Sequence, residues 1–292
     1  MKDGETTQNI SVIDNQINYD NSIEFFFPKN PYKFEKSLIM KMVISPAKSL
    51  NFDSDLPIDK STNPFFLAEA KRINQLLREK SPVELSQLMK ISDKLGILNW
   101  ERNQNFTTLF NSVNARPAVY AFDGDVYAGL DVYSLSSNKI SAMQNRLRIL
   151  SGLYGILKPL DLIQPYRLEM GTNFPVDNYK NLYDFWKDKV TGFLIEELEE
   201  GELFVNLASN EYFSSINSKL LNASIITPQF KDFKNGKLKM ISFYAKKARG
   251  MMARYLLELE EVSVENLLGF NHGGYAYSEE NTKSSLTPVF IR

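Results

Sequence analysis

Short apolar strand signals and longer amphipathic helical signals follow one another along this chain without regular alternation. That order restricts the fold to a mixed α+β domain rather than a run of βαβ units. Residues 43–45 read as a short buried strand and residues 203–207 as another. Between them, residues 64–78 carry Phe66, Ala70, Ile73 and Leu77 at helical spacing. Ser81, Pro82 and Glu84 form an N-cap signature for a second helix, with Leu85, Leu88 and Met89 as its apolar face. Residues 118–122 and 126–127 flank Asp123-Gly124-Asp125 and predict a strand–turn–strand. Ile140, Met143, Leu147 and Leu150 repeat at helical spacing up to Ser151-Gly152-Leu153-Tyr154-Gly155. Residues 162–170 contain Pro165 and read as extended, and residues 183–198 as an amphipathic helix. Residues 225–233 and 237–243 flank Lys234-Asn235-Gly236, whose Asn-Gly pair is a hairpin signal because both residues tolerate positive φ. A long helix follows over about residues 244–260, and residues 273–292 hold two more strand-like pieces.

The first 39 residues differ from the rest. They are rich in Asn, Asp and Ser, carry one aromatic cluster at Phe25, Phe26 and Phe27, and lack useful periodicity. A clean strand signal opens at Met40. The expectation is a single domain over residues 40–292, with residues 1–39 a disordered tail or the product of a start placed too far upstream.

Absences narrow the chemistry. The chain has no cysteine and one histidine, His272. Disulfides, thiolate zinc sites, Fe–S clusters, cysteine nucleophiles and sites needing two imidazoles are excluded. No cofactor and no dedicated metal site are expected. No apolar run approaches the ~20 residues needed to span a bilayer, and no secretory signal is evident, so the cytosol is the expected compartment. A monomer is the expected state.

Net charge is −1, which at first argues against a nucleic-acid partner. The charges are segregated, however. Lys231, Lys234, Lys237, Lys239, Lys246, Lys247, Arg249 and Arg254 face a single acid, Asp232, within residues 231–254. Lys139, Arg146, Arg148, Lys158 and Arg167 face only Asp161 within residues 139–167. Acidic runs follow each. On a helix through residues 244–260, Tyr244, Ala248, Met251, Tyr255 and Leu259 would share one buried side. Lys246, Lys247, Arg249 and Arg254 would then face solvent or an anion. Phosphate suits such a face, because Lys and Arg contacts release counterions from a polyanion. The two glycines at 152 and 155 end an apparent helix, and Ile156-Leu157-Lys158 resumes an apolar pattern. A helix–hairpin–helix element has this shape and would offer main-chain N–H groups to phosphate. A helix C-cap at Gly152 is the simpler alternative.

Three polar groups could do chemistry. Ser45-Pro46-Ala47-Lys48-Ser49 follows the first strand, where a serine–lysine pair or a Schiff-base lysine could act. Arg167 and Glu169 alternate in an extended segment and would project from one face as an ion pair. Asn206, Ser209, Asn210 and Glu211 crowd the end of the strand at 203–207, as a strand-end site or a helix N-cap. His272, beside Gly273-Gly274, reads as a loop residue. No spacing names a reaction, so Lys48, Glu169 and Asn210 stand as catalytic candidates without an assigned activity.

Several long motifs in order resemble one known family. They include Ser45-Pro46-Ala47-Lys48-Ser49-Leu50, Ile91-Ser92-Asp93-Lys94-Leu95, Ala118 through Tyr127, and Leu150-Ser151-Gly152-Leu153-Tyr154-Gly155. Pro159 through Gly171, Asn206-Leu207-Ala208-Ser209-Asn210-Glu211-Tyr212 and Lys247 through Tyr255 continue the pattern. From Met40 onward the chain resembles the YaaA family of bacterial peroxide-stress proteins. The resemblance implies a single α+β domain of unusual topology, with a helix–hairpin–helix element and a positively charged cleft that binds duplex or branched DNA without sequence specificity. It also implies a cytoplasmic role in limiting iron-driven oxidative damage. The matching DNA-binding positions would be Gly152, Leu153, Tyr154, Gly155, Lys158, Arg167, Lys246, Lys247, Arg249 and Arg254. The alternative is an enzyme acting on damaged nucleic acid or a small anionic metabolite, with a pocket of Lys48, Arg167, Glu169, Asn210 and Lys246. A chain with this donor set is a poor soft-metal sink, so coating or processing DNA suits it better than chelation.

Overall fold

The apolar segment at Met40–Ile44 forms strand β1, buried along almost its whole length at the centre of a five-stranded sheet. A computed structural model describes residues 40–292; the readings on residues 1–39 lie outside the described residues. The partners of β1 are Leu147–Ser151 (β2) on one side and Leu203–Leu207 (β4) on the other, both parallel to it. Gly155–Leu157 (β3) pairs antiparallel with β2, and Ser224–Ile226 (β5) pairs parallel with β4. The order is β3-β2-β1-β4-β5. A mainly parallel sheet covered on both faces explains why β1, β2 and β4 carry apolar residues on both faces rather than in strict alternation.

A second sheet holds the C-terminal third. Gln229–Lys234 (β6) and Lys237–Lys239 (β7) form the hairpin at Asn235-Gly236, whose φ values of 55° and 71° are those a two-residue primed turn needs. Val289–Ile291 (β9) lies parallel to β6 and antiparallel to Ala276–Tyr277 (β8). The expected strand beyond Lys239 stops early, because Ser242 opens a helix.

The helices follow their local signals well. Leu67–Arg78 (α1) buries Ala70, Ile73 and Leu77, with Phe66 packed beneath its first turn. Pro82–Met89 (α2) begins with a complete capping box between Ser81 and Glu84. Asp93–Asn105 (α3) packs on α2 across a three-residue turn. A Cβ on Gly96 would lie 2.0 Å from the Ser86 hydroxyl, so the two helices meet there. Asp125–Leu130 (α4) packs along Ser242–Glu258 (α8). Ile140–Arg146 (α5) and Leu182–Glu197 (α6) cover the sheet, and Asn210–Phe213 (α7) is one turn after β4.

Three expectations are corrected. The helix over 140–150 ends at Arg146, and Leu147–Ser151 is a fully buried strand. Residues 152–155 therefore join two strands and are not a helix–hairpin–helix. The Gly152 carbonyl accepts from the Trp186 indole N–H at 2.9 Å. The Tyr154 amide donates to Ser151 Oγ at 2.9 Å. Gly155, at φ 70°, lies flat against the Trp186 ring. The glycines serve close packing inside the molecule. Secondly, Asp123-Gly124-Asp125 is not a turn between strands: one helical turn at Ala118–Ala121 precedes the short strand Phe122–Asp123, and α4 follows. Thirdly, the buried stripe of α8 is Ala245, Ala248, Met252 and Leu256, with Ala253 and Leu257 beside it. It is turned by about one residue from the expected side, leaving Tyr244 exposed and Met251 and Tyr255 only partly buried.

Among the described residues no helix is long and apolar enough to cross a membrane.

Candidate functional site

β1 sits where the sheet changes direction. The chain leaves β1, adds β2 on one side, and then returns to add β4 on the other. In open parallel sheets, ligands bind outside the carboxyl ends of the strands at such a switch point. Ser45 follows β1 and Ser209 follows β4 by two residues. The Ser209 amide donates to Ser45 Oγ at 2.9 Å, and the two hydroxyls lie 3.3 Å apart. The Tyr127 hydroxyl donates to the Ser45 carbonyl at 3.2 Å. Two strand-end loops and helix α4 are thus tied together over the strand ends.

A cavity of about 340 Å³ opens above this knot, within the range of small-molecule sites, ~300–1,000 Å³. One wall is the loop Ser45–Ser49 that the sequence singled out, with Lys48 on it. Lys48 Nζ lies 2.9 Å from Glu169 Oε2, and Arg167 donates to Glu169 Oε1 at 3.0 Å. One carboxylate therefore holds two cations, as the alternation of 167 and 169 anticipates. Glu211 accepts from the Gly171 amide at 3.0 Å and fixes the far rim. Asp123, at the end of the short strand Phe122–Asp123, and Asp125, the first residue of α4, complete the acidic lining.

Helix α8 supplies the opposite charge. Lys246 and Arg249, three residues apart and so on neighbouring faces, both line the cavity. Arg249 lies within the buried arc of α8, four residues after Ala245 and three before Met252. Burial depresses its guanidinium pKa below the usual value. Among the described residues no carboxylate is within ion-pair reach of Lys246, Lys247 or Arg249. Beneath the cavity, burial pushes the Tyr127 and Tyr212 phenols far up, so both stay neutral.

The chain matches the family described as peroxide stress protein YaaA over residues 40–281. It belongs to the YaaA peroxide-stress family. A UPF0246 protein of Flavobacterium johnsoniae is 58% identical over 246 residues, covering 84% of this chain and 98% of the relative. One from Flavobacterium psychrophilum is 56% identical over 87% of this chain and 100% of the relative. One from Alteromonas mediterranea is 53% identical over 87% and 98%.

The structure sorts the residues that the YaaA resemblance proposed for DNA. Gly152, Leu153, Tyr154 and Gly155 are buried in the β2–β3 turn and present nothing to a ligand. Lys158 is paired with Glu197 at 2.9 Å. Arg254 binds Glu258 and donates to the Asp131 carbonyl at 2.7 Å, closing the C-terminal end of α4. Arg167 is committed to Glu169. Lys246, Lys247 and Arg249 remain, with Lys247 exposed outside the cavity lining. Among the catalytic candidates, Lys48 and Glu169 meet, whereas Asn210 is exposed and outside the lining. Sequence reading missed Asp123, Asp125, Tyr127 and Tyr212 as site residues. Their only signal was membership of long YaaA-like motifs, since their approach to Ser45 depends on tertiary folding. His272 is an exposed loop residue stacked on Phe270, as expected.

Proposed function

We propose that this chain acts in peroxide stress by binding DNA through its phosphates, without sequence specificity, and so limits iron-driven damage at the DNA itself. The observation that carries this reading is the run of cations on α8 that have no carboxylate partner among the described residues. Lys246 and Lys247 follow directly on the exposed hairpin lysines Lys234, Lys237 and Lys239. Phosphate contacts of this type position a protein on DNA and carry little sequence information. With no cysteine and a single histidine, the chain offers few soft donors for an iron-sequestering role.

The test is a duplex-binding titration across salt concentration with Lys246 and Lys247 replaced by Ala. Each lost phosphate contact is expected to reduce the salt slope by about 1. Unchanged affinity together with an unchanged slope overturns this surface.

A second reading, an enzyme acting on a damaged nucleotide or small anionic metabolite, draws on the cavity over the strand ends. Its Schiff-base version is not favoured. Lys48 is exposed and paired with Glu169, whereas an amine nucleophile of that kind is usually desolvated in an apolar setting.

A further inference from the structure

The charges lining the strand-end cavity divide into two kinds. Among the described residues, Lys246 and Arg249 have no carboxylate within ion-pair reach. Arg249 is partly buried, and a partly desolvated charge without a partner is costly. A guanidinium fork beside an ammonium is a good receptor for a phosphate. The remaining wall carries the carboxylates Asp123, Asp125 and Glu211, together with Glu169, which is paired with Lys48 and Arg167. Those carboxylates do not converge on a cation: among the described residues no group of three or more His, Cys, Asp or Glu side chains could hold a metal ion. As acceptors they suit hydroxyl donors, and they disfavour a second phosphate. A DNA strand, with its repeated phosphates, fits this lining poorly.

We propose that the cavity is a binding site for a small phosphorylated polyol, of sugar-phosphate or mononucleotide size, with its phosphate on Arg249 and Lys246 and its hydroxyls toward the acidic wall. The cavity volume of about 340 Å³ admits such a molecule. The floor is organised by the protein's own hydrogen bonds, because Ser45 is linked to both Ser209 and Tyr127. The site shares Lys246 with the proposed DNA surface but not the outward-facing Lys247, so Arg249 and Lys247 are the positions that tell the two kinds of binding apart.

The experiment is isothermal titration of the full chain with ribose 5-phosphate, AMP, ribose and inorganic phosphate. Ribose 5-phosphate or AMP is expected to bind and ribose is not. Arg249→Met and Lys246→Met are each expected to weaken that binding at least tenfold, while Lys247→Met binds as the parent does. Arg249→Lys keeps the charge at this position. It is expected to retain partial binding and a parental melting temperature, which separates loss of the site from loss of the fold. No heat from either phosphorylated compound overturns the proposal, as does parental affinity in Arg249→Met. Inorganic phosphate binding as tightly as ribose 5-phosphate overturns the polyol assignment. Duplex titration of the same variants tells the two sites apart. Arg249→Met is expected to hold DNA as the parent does, and its loss of both ligands overturns a separate cavity site.

Discussion

The amide of Ser209 donates to Oγ of Ser45 at 2.9 Å, joining the ends of two adjacent parallel strands across 164 positions of sequence. The site rests on this bond, because the loops carrying Lys48 and Glu211 diverge from it. Ser45→Ala removes the acceptor and leaves a partly buried N–H unpaired. The expected cost is about 1 kcal/mol, a fall in Tm of about 2–4 °C for a domain of this size. Chemical denaturation with an unchanged midpoint would show that water replaces the hydroxyl.

Helices α4 and α8 meet backbone to backbone. A Cβ on Gly250 would lie 1.8 Å from the Val126 carbonyl oxygen, and one on Gly129 would lie 2.1 Å from that of Lys247. Neither neighbour is a flexible side-chain end. Gly250→Ala is expected to destabilise by about 3 kcal/mol, the upper end of overpacking costs. The contrast is Gly192, in the middle of α6, where an added Cβ meets nothing within 4 Å among the described residues. Gly192→Ala is expected to stabilise by about 0.5–1 kcal/mol through helix propensity and lost unfolded-state entropy. Urea midpoints of the two variants should move in opposite directions; a shared direction would refute the close helix contact.

Asp161 gives the fold a pH dependence. Burial pushes its carboxyl up to about 6, although Thr62, the Lys158 amide, and the charges of Lys158 and Arg148 pull it down. The unfolded chain's value is about 3.9, so between these values the folded protein binds more protons than the unfolded one. Stability from this group is therefore greatest below about pH 4 and falls as pH rises to about 6, by roughly 3 kcal/mol. Asp161→Asn removes that component. The difference in unfolding free energy between parent and variant is expected to change across pH 4–6 and to be constant above it. A difference independent of pH would count against the buried carboxyl.

What could be read from sequence was local. The Phe66, Ala70, Ile73 and Leu77 stripe, the Ser81–Glu84 capping box and the Asn235-Gly236 turn each need only neighbours a few residues away, and all three are present. Leu147 and Leu150 misled because residues 147–151 carry apolar side chains on both faces, at Leu147, Ile149 and Leu150. Such a run satisfies helical and strand periodicity alike. The phase of α8 was displaced because apolar residues occupy more than half its circumference, so Arg249 was placed on the wrong side. The site itself was half legible. Lys48, Glu169 and Ser209 stood out as polar residues at strand ends or in an extended segment. Their convergence with Tyr127 and Arg249 depends on sheet order, which no local pattern records.

Glu197 decides how much of the basic segment at 139–167 is available to a ligand. Arg148 Nε lies 2.6 Å from one Glu197 oxygen and Lys158 Nζ lies 2.9 Å from the other. The Arg148 side chain is 3% exposed, whereas that of Lys158 is 38% exposed. Glu197→Gln leaves the buried guanidinium without its counter-charge and is expected to cost about 3 kcal/mol. Lys158→Ala removes only the half-exposed partner and is expected to cost less than about 1 kcal/mol. Because Lys158 is already held by Glu197, its loss is expected to leave duplex affinity and the salt slope at parental values, in contrast to Lys247→Ala. A salt titration in which Lys158→Ala lowers the slope as much as Lys247→Ala would place the phosphate-binding surface on the α6 side of the molecule instead.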